Sequence, residues 1–160
     1  MKKLSIIIPA YNEAPTIHLI LEKVIDTQLL YDIEKEIVIV DDYSTDGTSE
    51  AVMQFCKTRP TANIRTFRQP NNQGKGAAIH KGIDLATGDF IVIQDADLEY
   101  DPADYNLLLK PMMNDVADVV YGSRFMGMGP HRILFFWHSI GNQFLTFLSN
   151  MFTNLNLTDM

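Results

Sequence analysis

The sequence predicts an α/β fold, a mostly parallel sheet flanked by helices, and three observations carry that prediction. Short runs of aliphatic and β-branched residues recur as "LSIII" at 4 to 8, "EIVIV" at 36 to 40 and "FIVIQ" at 90 to 94, each the pattern of a buried strand. The segments between them carry helical spacing, and strands joined through helices must run parallel. A polar cluster follows each of these strands, and in open α/β sheets ligands bind outside the carboxyl ends of the strands.

The elements follow in order. The first strand leads through Pro9 into "PAYNE", and after Pro15 the residues Ile17, Ile20, Leu21, Val24 and Ile25 fall on one helical face. The second strand ends in "DDYSTDGT", where residues 44 to 48 read as a turn and cap for a helix over 48 to 55. "NIRTFRQ" at 63 to 69 is a weaker strand. "GAAIHKGIDLAT" at 76 to 87 is a third helix, expected to close at Gly88. The "FIVIQ" strand then runs into Asp95, Ala96, Asp97 and Glu99, and "ADVVYGSRF" at 117 to 125 is expected to form a further strand.

Bulk properties narrow the function. The chain has 160 residues, 46% of them hydrophobic, enough for one ordinary core. A net charge of -7 argues against a nucleic-acid surface or a polybasic membrane anchor, and implies that an anionic ligand would need a metal. One cysteine, Cys56, allows no internal disulfide, and the amino terminus enters a strand without a signal-peptide pattern, so a cytoplasmic location is expected. Residues 133 to 157 are rich in aromatic and aliphatic residues but interrupted by His138, Asn142, Gln143 and Asn150, unlike a membrane span. They read as a helix packing on the domain or on further chain, or as a surface near a membrane or lipid. The expected organisation is a binding core over 1 to 130 and, over 131 to 160, the start of a helical region that continues beyond Met160.

The clusters have their own chemistry. Asp95, Asp97 and Glu99 are hard oxygen donors suited to Mg²⁺ or Mn²⁺, and an ion bridging them to phosphate would relieve their mutual repulsion. Asp42, at a strand's end, is a candidate acceptor for a base N–H or a ribose hydroxyl. Tyr11 offers a ring to a base, Glu13 a carboxylate to a ribose or base, and Asn12 a tie for the loop. In "NQGKGAA" the glycines admit close approach, and Lys75 is placed to meet phosphate or to stay in solvent. Arg124 in "GSR" has a fork suited to phosphate, and His131 and Arg132 follow on a glycine-rich stretch. EF-hand spacing fails from both Asp95 and Asp42, and neither a Walker loop nor a GxGxxG run is present.

"SIIIPAYNE", "EIVIVDDYSTDGT", "NQGKGAAIHKGIDLATGDFIVIQDADLEYDP" and "VVYGSRF", in order over residues 4 to 125, resemble family 2 glycosyltransferases of the GT-A fold, with a Rossmann-like sheet. The similarity is to the polyprenyl-phosphate sugar synthases related to dolichol-phosphate mannose synthase. The resemblance implies that Pro9, Tyr11, Glu13, Val40 and Asp42 line the nucleoside of a nucleotide-diphosphate-sugar; Lys75, Asp95 and Ala96 complete the set of residues expected to bind this donor. It implies that Asp95 and Asp97 act through a divalent ion on the diphosphate; the synthases commonly have glutamine at the position of Glu99. Arg124, and Arg132 beyond it, match arginines near the donor or acceptor phosphate. The implied reaction is inverting transfer from a UDP- or GDP-sugar to a polyprenyl phosphate, peripheral at the cytoplasmic membrane face. A sugar hydroxyl acceptor and a non-catalytic nucleotide-sugar-binding module stay open as alternatives.

Overall fold

The structure, a computed structural model, describes residues 1–122, 136–154 and 157–158. By its contacts the chain divides into two compact units, Met1–Lys110 and Pro111–Met160.

The first unit is a four-stranded parallel sheet of β1 (Lys3–Ala10), β2 (Glu34–Asp41), β3 (Ile64–Arg68) and β4 (Phe90–Ile93) in the order β3-β2-β1-β4. The helices α1 (Ile17–Asp26), α2 (Thr48–Thr58) and α3 (Lys75–Leu85) are the crossovers. β1 is buried from Leu4 to Ala10 because it is an inner strand of a sheet covered on both faces, which is why its sequence is nearly continuously apolar and not alternating. The register sets Ile7 beside Val38 and Pro9 beside Val40 on one face, and Ile6 beside Ile37 and Ile8 beside Ile39 on the other. Ile7, Val38 and Val40 form a dry cluster with Ala78 of α3, joined by Phe67 and Leu85.

That packing needs a glycine on α3. A Cβ built on Gly82 would stand 2.3 Å from the Ile7 side chain, so the absence of a side chain lets the helix lie close on the sheet. Gly88 has a similar role and is not the helix stop expected from the sequence. α3 ends at Leu85, with the extended Ala86 as its cap, and a Cβ on Gly88 would meet the Lys3 carbonyl at 2.8 Å as the chain passes β1. At this end of the sheet the buried Glu36 accepts hydrogen bonds from the Ser5 hydroxyl at 2.6 Å and from the Thr87 N–H and hydroxyl, each at 2.8 Å. Arg65 adds an ion pair at 3.6 Å. Desolvation alone would raise the Glu36 carboxyl, but these donors outweigh it and hold it below the usual range.

The order of strands reverses between β1 and β4, and there the sheet opens. The β1–β4 ladder ends at Ile7 and Ile93, whereas β1 and β2 stay paired to Ala10 and Asp41. Ile7 gives its carbonyl to the Gln94 N–H on the β4 side, so Pro9, two residues on, turns its nitrogen to the same side beyond the ladder's end, where no donor is needed. A crevice at this switch point is where the topology places a ligand.

In the second unit, the described residues 117–122 carry no strand, so the strand expected over 117 to 125 does not form there; Val119 and Tyr121 are exposed, and a strand needs a partner to satisfy its backbone. The helix α4 (Tyr105–Met113) bridges the division of the chain, and α5 (Phe136–Thr153) lies wholly in the second unit. No helix among the described residues is long and apolar enough to cross a membrane.

Candidate functional site

The ends of β1, β2 and β4 and the start of α3 surround a cleft of about 410 Å³, lined by Pro9, Ala10, Tyr11, Glu13, Asp42, Asn72, Gly74, Lys75, Ala78, Asp95, Ala96 and Asp97. Most of the residues expected from the sequence thus come together. Val40 does not line it; its side chain lies in the core cluster beneath. Glu99 does not line it either. β4 stops at Ile93, and residues 95 to 100 form a turn in which Leu98 takes a left-handed φ of +66°, so the two-residue spacing that brings Asp95 and Asp97 to the cleft does not carry on to Glu99. Arg124, His131 and Arg132 lie outside the described residues.

Two loops build the nucleoside side. Asn12, itself left-handed at φ +56°, accepts from the Thr45 N–H at 2.9 Å and donates its own N–H to Ser44, tying the turn after β1 to the turn after β2. Asp46 accepts from Thr48 N–H and Ala14 N–H, both at 3.0 Å, and from the Thr48 hydroxyl. Desolvation opposes its charge, yet these bonds lower its pKa; they close the expected turn, while the N-cap position of α2 itself is the left-handed Gly47, without a side-chain cap bond. Glu13 receives the Thr16 hydroxyl at 2.5 Å at the start of α1. Tyr11 stands beside these loops, 48% exposed, with its ring available for stacking.

Asp42 is more committed than the sequence implies. It is almost fully buried, and its Oδ1 accepts from Gln69 Nε2 at 3.0 Å and Gln73 N–H at 2.8 Å, while its Oδ2 accepts from Gly74 N–H at 2.7 Å. The carboxylate therefore anchors the loop that delivers α3. Gly74 takes φ +88°, a conformation that favours glycine, and leads into α3, whose first N–H groups, as in any helix, have no intrahelical partner. Lys75 opens α3 and its Nζ lies 2.6 Å from Asp95 Oδ1.

The carboxylate turn has a buried support that sequence reasoning missed. Gln94, 1% exposed, donates through Nε2 to the carbonyls of Asp95 at 3.1 Å and Tyr100 at 3.2 Å, and accepts the Tyr105 hydroxyl at 2.7 Å. Burial, with Asp101 nearby, pushes the Tyr105 phenol well up, so it stays a donor. The signal available was a glutamine at the end of an otherwise apolar strand. Among the described residues no three His, Cys, Asp or Glu side chains gather as a metal cage. The donor set still fits a hard cation, because Mg²⁺ commonly takes one or two carboxylates and completes its shell with substrate phosphates and water. Asp95 already holds a cationic group, the ammonium of Lys75.

The chain is similar to proteins already known. Residues 5–154 match the model of Glycosyl transferase family 2. A dolichyl-phosphate beta-glucosyltransferase of Dictyostelium discoideum is 34% identical over 76% of this chain and 39% of its own length. A dolichol-phosphate mannosyltransferase of Pyrococcus furiosus is 32% identical over 79% and 34% respectively. Among solved structures, the Pyrobaculum calidifontis mannosyltransferase PcManGT, in complex with GDP-Man and Mn²⁺, superposes with a TM-score of 0.59 at 34% identity, covering 64% of this chain and 30% of that one. Staphylococcus aureus TarS residues 1–349 with UDP-GlcNAc gives a TM-score of 0.59 at 27% identity, over 71% and 31%. The chain spans well under half the length of these relatives. With its parallel sheet, its cleft at the switch point and this match along nearly its whole length, the chain belongs to glycosyl transferase family 2 and has the GT-A fold.

Proposed function

We propose that this chain forms the donor-binding part of an inverting glycosyltransferase that moves a sugar from a nucleoside diphosphate to a polyprenyl phosphate. The observation that carries the reading is the convergence of Tyr11, Asp42, the start of α3 and the Asp95–Asp97 turn on one cleft. Tyr11 stacks on the base, and Glu13 and Asp42 take its hydrogen-bonding groups and the ribose. The first turn of α3 offers N–H groups and a positive dipole end to phosphate. Asp95 and Asp97 hold a divalent ion, Mg²⁺ or Mn²⁺, which would supply the charge that offsets the leaving diphosphate. Lys75 is placed to leave Asp95 for a phosphate oxygen as the donor enters.

Chemistry and the similarity to dolichyl-phosphate glycosyltransferases support a phosphate acceptor. A phosphate monoester with a second pKa near 6 is already an anion at neutral pH, so it attacks the anomeric carbon without a general base. Arg124 and Arg132 would position it. In the second unit, α5 contains no charged residue and exposes Ile140, Phe144, Phe147 and Met151 at helical spacing, which supports a surface near lipid at the cytoplasmic membrane face. Calorimetry with UDP and GDP, each with and without Mn²⁺, tests the donor site. Binding is expected only with Mn²⁺, and Asp97→Ala is expected to abolish that Mn²⁺-dependent binding while circular dichroism stays unchanged. Failure of both nucleotides to bind would overturn the donor reading, and equal heats in Asp97→Ala would overturn the metal assignment.

A further inference from the structure

We infer that the donor carries a uracil-type base, and that Gln69 enforces the choice by filling a lone pair of Asp42. The inference rests on the donor reading above and turns on counting acceptors. A carboxylate has about four lone-pair positions. Three are taken from within the protein: two on Oδ1, by Gln69 Nε2 and Gln73 N–H, and one on Oδ2, by Gly74 N–H. One acceptor position is left, on Oδ2, in a side chain that lines the cleft while only 3% exposed.

The nucleobases differ in what they ask of such a group. Guanine presents N1–H and its exocyclic amine side by side and would engage both carboxylate oxygens. Uracil presents a single N3–H and needs one. Cytosine has a lone pair at N3 in place of uracil's N–H, so the carboxylate meets its N4 amine only with that lone pair beside it, and the lone pair is repelled. Guanine could gain the second oxygen only by displacing Gln69, which is 6% exposed and would leave a buried amide donor unpaired. The two backbone donors on Asp42 cannot withdraw without unwinding the loop that starts α3. A site whose polar groups are filled in this way discriminates by the partner it strands, more strongly than by shape.

Competitive calorimetry with UDP, CDP and GDP, all with Mn²⁺, on this chain and on Gln69→Leu tests the inference. For the unaltered chain UDP is expected to bind at least about tenfold more tightly than GDP or CDP, a difference of about 1.4 kcal/mol. In Gln69→Leu the UDP-to-GDP ratio should narrow at least about threefold, because Oδ1 regains a lone pair, while CDP stays weak. GDP binding within about threefold of UDP in the unaltered chain would overturn the uracil assignment yet leave the donor site standing. An unchanged ratio in folded Gln69→Leu would overturn the role of Gln69. Binding of none of the three would overturn this inference together with the donor reading.

Discussion

Replacing Glu36 by alanine should destabilise the first unit by about 3 kcal/mol, and the figure comes from its partners. Ser5 is fully buried, and its hydroxyl would lose its acceptor at a cost of about 1–3 kcal/mol. Thr87 would lose two hydrogen bonds worth about 1 kcal/mol each, partly recovered from water because that residue is exposed. The Arg65 pair, with that side chain half in solvent, adds little. Removing the desolvated carboxylate returns some free energy, which keeps the net near the middle of the range. For a chain of this length the loss is a fall in Tm of about 6–12 °C. Thermal and urea unfolding followed by circular dichroism measure it. A loss below about 1 kcal/mol would refute the claim that this network ties β1, β2 and the approach to β4 together. The sign with pH follows from the lowered pKa: the contribution is complete above the unfolded carboxylate's pKa and is lost as pH falls through the depressed folded value. Glu36→Gln should therefore unfold with a shallower acid dependence than the unaltered chain.

Tyr105→Phe strands the buried Gln94 carbonyl, so it should cost about 1–3 kcal/mol and weaken Mn²⁺-dependent nucleotide binding by loosening the turn at residues 95 to 100. Unfolding and calorimetry on the same variant read both effects, and unchanged affinity would separate the turn from the site. Gly82→Ala forces a methyl to within 2.3 Å of Ile7 in the core, an overpacking of about 1–3 kcal/mol visible as a lower Tm. An unchanged Tm would mean that α3 does not rest on β1 as closely as described.

The fold was legible in the sequence where one physical rule dominated. "LSIII" and "EIVIV" had to be inner strands because continuous apolar runs fit a sheet covered on both faces, and β1 and β2 extend those runs by a few residues. The Asp46–Gly47 turn and the Asn12 tie followed from the local chemistry of short polar side chains. Misreadings came where a tertiary neighbour decided the matter. Gly88 resembled a helix stop, but its requirement is the Lys3 carbonyl, far earlier in the chain and brought close where β1 and β4 pair. Asp95, Asp97 and Glu99 stand two residues apart after a strand, and Asp95 and Asp97 line the cleft while Glu99, beyond the left-handed Leu98, does not. Asp42 was visible as a ligand acceptor, whereas its three internal donors were not, since Gln69, Gln73 and Gly74 reach it only through the folded loop.

The most direct test of the donor site is paramagnetic broadening of the amide NMR signals of ¹⁵N-labelled chain by sub-stoichiometric Mn²⁺, with and without UDP. The account predicts selective loss of the signals of Gly74, Lys75, Asp95, Ala96 and Asp97 when UDP is present, with little broadening there by Mn²⁺ alone. Broadening centred elsewhere, or the same pattern with and without UDP, would contradict a cleft in which Asp95 and Asp97 meet a diphosphate through a shared cation.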